Sequence, residues 1–271
     1  MNKSILLPAV LAFALLACNQ DNKSGTNDKA PEQANISVLE GFWIDLDFCA
    51  RSEQYGSVLG GMNYGHLPYA YAMTFSAAKP DSVQCFNGFE SWMLPLSFNA
   101  DTIELKGARP DKSVFLIYDS QGSKDITMFD PSPSGMQLDR FIKSKAGTKD
   151  GYTAFTAALN NSLFSGAFVP LGAKTKGPNV LFTPGGFIQN FPDFNRYQVC
   201  TGGDCFVSAD PIDVVTFSNS KKENSAKMFG FKYSNQNDTL TILNLINENP
   251  EEKGAYKIGK PAYRFFRKKA N

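Results

Sequence analysis

Beyond residue 36 the chain is a succession of short apolar runs cut by turn residues, with little helical periodicity. The first run is Leu39-Glu40-Gly41-Phe42-Trp43-Ile44, and strand-like runs follow at 70–76, 82–86, 102–105, 114–118, 126–129 and 136–142. Asn87-Gly88 is a strong hairpin signal after the third run. Trp92, Leu94, Leu96 and Phe98 then alternate with other residues, so they share one face of a strand. Residues 144–151 break the pattern with Lys, Gly, Thr and Asp. Tyr152, Phe155 and Leu159 fall at helical spacing and predict a short helix. Strand runs return at 180–183, before Pro184-Gly185-Gly186, and continue at 187–191, 197–200, 205–207, 214–217, 239–246 and 262–267. Phe229, Phe231 and Tyr233 alternate within that series. Short strands at this regular spacing predict an all-β chain of antiparallel barrels or sandwiches.

The N-terminal segment is of another kind. Lys3 precedes an apolar stretch from 5 to 16, interrupted by Pro8, which is the length of a signal h-region and too short to span a bilayer. Leu15-Leu16-Ala17-Cys18 follows directly and resembles the lipobox of bacterial lipoproteins. That resemblance implies a signal peptide over 1–17, cleavage before Cys18, and acylation (palmitate among the chains) of Cys18 as the lipidation site. The competing reading is an ordinary secretory signal whose cleavage site precedes a cysteine. Two or three acyl chains anchor a protein stably to a membrane. Asn19, rather than aspartate, after the cysteine implies the outer membrane, with the body periplasmic or surface-facing. Residues 19–35 are mostly Asn, Asp, Lys, Ser, Gly and Pro with almost nothing apolar, so 18–35 reads as a lipidated flexible tether.

Composition narrows the rest. With 271 residues, 13% aromatic, the chain has enough sequence for two small folded domains. The net charge of +1 offers no footprint for nucleic acid. Four cysteines remain beside Cys18, and an even number in an exported chain reads as two disulfides. Of the three pairings, Cys49–Cys85 with Cys200–Cys205 keeps each bond within one half. Cys200-Thr201-Gly202-Gly203-Asp204-Cys205 reads as a stapled hairpin. A metal site is the weaker reading, because the thiols lack paired CxxC spacing and His66 is the only histidine.

The two halves repeat landmarks in one order. Gly41-Phe42-Trp43 answers to Gly166-Ala167-Phe168, Asp101-Thr102-Ile103 to Asp238-Thr239-Leu240, and Arg140-Phe141-Ile142-Lys143 to Arg264-Phe265-Phe266-Arg267. Glycine and arginine are 99 residues apart in one half (41 to 140) and 98 in the other (166 to 264), while the middle landmark is displaced by 12. This reads as tandem copies of one fold, over 36–146 and 152–268. Gly41, Trp43 and Arg140 resemble the lipocalin-like barrels, which carry Gly-x-Trp on the first strand and, on the last, an arginine that packs over the indole. Gly166, Phe168 and Arg264 repeat the pattern with Phe for Trp. The resemblance implies two lipocalin-like β-barrels, each closed by a cation over an aromatic face, a contact of about 0.5–2 kcal/mol.

No motif marks an enzyme. Gly172-Ala173-Lys174-Thr175 fails the P-loop spacing, and His66 lacks a nucleophile motif beside it. Asp45 and Asp47 read as surface residues of a strand. The aromatic segment between the first two strands is the best candidate site. It contains Tyr55, Leu59, Met62, Tyr64, Tyr69 and Tyr71. In a lipocalin-like barrel it lies at the open mouth, either as a lid over a cavity for a lipid or other hydrophobic ligand or as a plug that completes the core. The expectation is a non-catalytic, membrane-tethered binding protein without cofactor or metal. The alternative is a protein-interaction or structural module in the envelope, which exposed apolar patches on the barrel exterior would favour.

Overall fold

The computed structural model describes residues 36–62, 67–119, 121–122, 124–132, 135–145, 148–172, 177–202, 211–234, 236–248 and 256–268. The fold is mostly β, built on two eight-stranded antiparallel sheets, as the alternation predicts. The first half starts with a single helical turn, α1 (Ile36–Leu39), and a closed barrel follows. Its strands are β1 (Gly41–Asp45), β2 (Ala72–Ser76), β3 (Lys79–Phe86), β4 (Ser91–Asn99), β5 (Thr102–Leu105), β6 (Val114–Tyr118), β7 (Asp125–Ser132) and β8 (Gly135–Lys143). Each pairs with its sequence neighbour, and β8 returns to β1 with Trp43 opposite Lys143. Closure leaves no sheet edge. Inward residues from all eight strands, among them Trp43, Met73, Val83, Cys85, Leu94, Ile103, Leu116, Met128 and Phe141, form one core.

Helix α4 (Gly151–Leu163) links the halves, capped by Asp150, whose side chain accepts from the Thr153 N–H. The second sheet comprises β9 (Gly166–Pro170), β10 (Val180–Phe182), β11 (Ile188–Gln189), β12 (Arg196–Val199), β13 (Asp213–Ser218), β14 (Lys227–Tyr233), β15 (Thr239–Asn247) and β16 (Tyr256–Arg267). It is the same meander, with β16 returning to β9. Its seam between β11 and β12 is held by one bridge, Phe187 to Arg196. The Ile188 N–H donates to the Asn195 carbonyl at 2.9 Å and the Tyr197 N–H to the Gly186 carbonyl at 2.8 Å across the same seam. Its interior is largely aromatic, with Phe164, Phe168, Phe182, Phe217, Phe229, Phe231 and Phe265 essentially inaccessible to water.

The repeat is visible in the register. Trp43 faces Lys143 across β1 and β8, and Phe168 faces Arg267 across β9 and β16. Gly41 and Gly166 both open their first strands at φ near +130° (+126° and +130°), a region that L side chains rarely adopt. At Gly41 a Cβ would also stand 3.0 Å from the Lys143 Cε that lies over the strand.

Two landmarks need correction. The cation over Trp43 is Lys143, with Nζ 5.7 Å from the ring centroid, and not Arg140; the cation over Phe168 is Arg267, at 5.2 Å, and not Arg264. Strand alternation is the reason. Lys143 shares a parity with inward Phe141, and Arg267 with inward Phe265, while Arg140 and Arg264 point outward. The middle landmark fails as well. Thr102 opens the fifth strand of its barrel and Thr239 the seventh of the other, which explains the displacement.

Candidate functional site

The connection from β1 to β2 is not a loop over an open mouth. Its first part is helical, as α2 (Leu46–Tyr55) and α3 (Val58–Met62). Asp45 caps α2, its Oδ1 accepting from the Phe48 N–H at 2.8 Å, and Gly56 ends it in the left-handed conformation. That capping pair, with Asp47 in the first turn, is the sequence signal that marks the helix; the apolar alternation of 42–48 hides it by continuing the strand pattern. Asp45 is therefore not a surface strand residue: it is fully buried.

These helices dock on the second barrel. The Asn237 side-chain amide, between β14 and β15, donates to the Glu53 and Gln54 carbonyls at 2.9 and 3.2 Å, at the end of α2. Asp213, at the start of β13, accepts from the Leu59 N–H at 2.9 Å. Beside them, Thr201 donates to the Gly88 carbonyl at 3.1 Å. Helix α4 covers the outside of β1 and β2, and there Phe155 stacks on Tyr71 (5.0 Å between centroids), which stacks on Phe48 (4.5 Å). Ile44, Phe48, Cys49, Val58, Tyr71 and Ala72 of the first half thus share one core with the interior of the second barrel. The mouth-side loops of barrel one meet the opposite end of barrel two, and residues 36–268 lie within one compact unit.

Charges are buried at this mouth. Asp139 on β8 is inaccessible and pairs with Arg51 of α2 at 3.3 Å. Asp130 on β7, equally buried, holds Arg109 from the β5–β6 connection through two hydrogen bonds, at 3.1 and 2.6 Å. Burial first, and then the neighbouring Asp139, push the Asp45 carboxyl well above the usual carboxylate range, against the lowering effect of the Phe48 N–H and Arg51. Its Oδ2 is buried without a hydrogen-bond partner. A neutral, protonated Asp45 is what such a setting favours.

The six candidate ligand residues fall in different settings. Tyr71 lies in the aromatic stack between the barrels. Leu59 and Met62 are half-buried on α3, Met62 against the shared core. Tyr55 is 52% exposed. Tyr69 stands apart at the barrel mouth, edge-on to Trp92, whose indole N–H donates to the Tyr69 hydroxyl at 3.2 Å, with Arg109 5.0 Å above its ring. Tyr64 and His66 lie outside the described residues. The structure does not gather the six into one lining.

The outer wall of the first barrel presents a feature that alternation alone did not single out. Phe115, Phe129 and Leu138 are cross-strand neighbours on β6, β7 and β8, all outward. Ile117 and Met136 adjoin them, and Met136 pairs with Pro131. Exposure runs from 38% at Phe115 through 45% at Ile117 and 50% at Leu138 to 62% at Met136. Glu104 lies beside Phe115 on β5, and Arg140 follows on β8.

The expected Cys49–Cys85 bond is not formed. Both thiols are free and buried. Cys49 sits in the core between the barrels and Cys85 inside the first barrel, so they belong to separate clusters. Burial pushes the Cys85 thiol up to about 12, and burial followed by Asp45 raises Cys49 further. Cys200 is disulfide-bonded; Cys205 and Cys18 lie outside the described residues. Among the described residues no group of three or more His, Cys, Asp or Glu could hold a metal ion, and no helix is long and apolar enough to cross a membrane. No family model matches the chain, and neither a curated protein nor a solved structure is detectably similar to it.

Proposed function

We propose that this chain is a lipid-anchored, non-catalytic envelope protein that works as a protein-interaction module, binding through the outer wall of its first barrel. The observation that carries the reading is the uncovered apolar row Phe115–Phe129–Leu138 with Ile117, Pro131 and Met136 around it. A contiguous apolar area on the outside of a barrel does nothing for that barrel's own core, and such areas mark contact sites. The anchor rests on the lipobox-like Leu15-Leu16-Ala17-Cys18 and the polar 18–35 tether, with the outer membrane as the site and either face open. A Cys200–Cys205 staple is part of the same exported-protein reading.

A lipid or other apolar ligand inside the first barrel is the weaker reading. Trp43, Met73, Val83, Cys85, Ile103, Val114, Leu116, Ile126, Met128 and Phe141 each have no accessible surface. A water-sized void against any of them would expose some. The β1–β2 connection, the natural lid, is instead spent on the second barrel.

The test is photo-crosslinking of the full chain in its own cells, with a benzophenone side chain at Met136 or, as control, at Gln84 on the outer side of β3. An adduct from Met136 and none from Gln84 is the expected result. Equal labelling at both, or none at either from a folded protein, refutes the contact site.

A further inference from the structure

We infer that the occupant of the β6–β7–β8 face is a second copy of this chain, packed face to face about a two-fold axis running along the strands. The inference rests on the interaction reading above and names its partner.

Among the described residues none covers the face. The tether between Cys18 and Ile36 contains no residue more apolar than Ala30, Pro31 and Ala34. Closure of the barrel leaves no strand edge to extend, so association uses the face, at the roughly 10 Å spacing of stacked sheets. A two-fold axis along the strands, set between β6 and β7, puts the β5 side of one copy over the β8 side of the other. The flanks then match in sign. Glu104, which accepts from the Ser113 hydroxyl, stands on the β5 side, and Arg140, half-exposed and 3.9 Å from Asp47 of its own chain, on the β8 side, one cross-strand row apart. Each copy thus offers a carboxylate to the guanidinium of the other, twice per dimer, around an apolar centre. Like charges at the two flanks would repel in this arrangement; the mixed flank is also not the cluster of lysines and arginines that an anionic lipid surface selects.

The face is small. Four strands at about 4.8 Å and three rows of outward residues cover an area roughly 20 Å on a side, about half of the ~800 Å² that a standard interface buries per partner. The dimer is accordingly weak in solution, with a dissociation constant on the order of 10–500 μM. Anchoring both copies in one membrane raises their effective concentration and favours the pair.

The experiment uses two differently tagged full-length copies expressed in one cell, one carrying the benzophenone at Met136. The expected product is an adduct of twice the chain mass that carries both tags. Leu138→Asp in both copies cuts it at least tenfold while leaving protease resistance unchanged. Glu104→Arg in both copies, or Arg140→Glu in both, reduces it, and Glu104→Arg in one copy with Arg140→Glu in the other restores it. Restoration is a signature that misfolding of either variant would not produce. An adduct of another mass overturns the second-copy assignment and leaves the interaction reading standing. No adduct from a protease-resistant chain overturns both, and failure of the mixed pair to recover overturns the two-fold geometry.

Discussion

Phe155→Ala separates the two barrels energetically. Phe155 is fully buried on α4, yet the rings within contact range of it are Phe48, Tyr71 and Phe86, all from the first half, at 5.9, 5.0 and 6.1 Å between centroids. Full burial of a phenylalanine contributes about 1.5–3 kcal/mol, and well-set aromatic pairs add about 0.5–1.5 kcal/mol each. The loss on truncation is therefore about 3–5 kcal/mol, the range of Phe→Ala changes in packed cores. Because the lost contacts bridge the halves, the loss appears first as lost coupling. Urea unfolding of the wild type, followed by tryptophan emission from Trp43 and Trp92 in the first barrel and by far-ultraviolet circular dichroism of the whole chain, gives coincident curves. In Phe155→Ala the curves separate, and the midpoint of the barrel-one emission falls. Phe155→Leu keeps most of the volume, costs below about 1.5 kcal/mol, and retains coincidence. A loss below about 1 kcal/mol for alanine, or curves that remain superimposed despite the full loss, refutes the claim that this ring joins the barrels.

Two further outcomes follow from the first-to-last-strand contacts and from the buried carboxyl. Arg267→Ala removes a guanidinium that lies over Phe168 and Tyr233 and donates to the Tyr233 hydroxyl and the Leu163 carbonyl; it costs about 2–3 kcal/mol. Arg264→Ala, on the outer face, costs below about 0.5 kcal/mol, and equal costs in chemical denaturation would count against the strand parity assigned to β16. Asp45 has its native pKa raised, so the native state keeps a proton that the unfolded chain releases near pH 4. The unfolded state then binds fewer protons, and stability falls as pH rises from about 4 through the raised native value. Asp45→Asn keeps the cap on Phe48 and abolishes that dependence, so the variant gains on the wild type between pH 5 and pH 8; a difference that stays constant across that range would show that Asp45 is ionised in the folded protein.

Most strands were legible because their faces differ. Val83 and Cys85 are buried while Gln84 between them is exposed, and a period of two in polarity records that split. The closing cations were misplaced by reading a family landmark where parity was available: counting by twos from Phe141 reaches Lys143, and from Phe265 reaches Arg267. Helices α2 and α3 were hidden for a different reason. Their apolar residues Phe48, Cys49 and Val58 face a core formed with residues some hundred positions away, and no local periodicity encodes a partner at that distance. The outer row on β6–β8 was invisible because its members are single apolar residues on three strands, and only the register makes them neighbours.

The comparison between the two barrels gives that outer row its meaning. The connection between the first two strands runs from 46 to 71 in the first copy and from 171 to 179 in the second, so the longer insertion belongs to the copy that uses it as a clamp. The Arg51–Asp139 pair beside it is no strong source of stability, since buried ion pairs give back most of their attraction in desolvation. The aromatic stack supplies the energy of the junction, and the Asn237 and Asp213 contacts fix its register. On β14–β16, the strands that correspond to β6–β8, one row reads Gly230–Leu243–Pro261 and the next Lys232–Thr241–Arg264. The first of these is covered by the chain itself. Ile212 lies so close that a Cβ on Gly230 would meet its Cδ1 at 2.6 Å, and Leu243 is only 5% exposed. The second is polar. The contrast holds for these two rows, since the same strands also leave Met228, Ile246 and Phe266 exposed elsewhere, with Phe266 opposite the exposed Val169 of β9. The barrel architecture therefore does not dictate bare phenylalanine and leucine at the positions of Phe115, Phe129 and Leu138, and that freedom is what the proposed contact site accounts for.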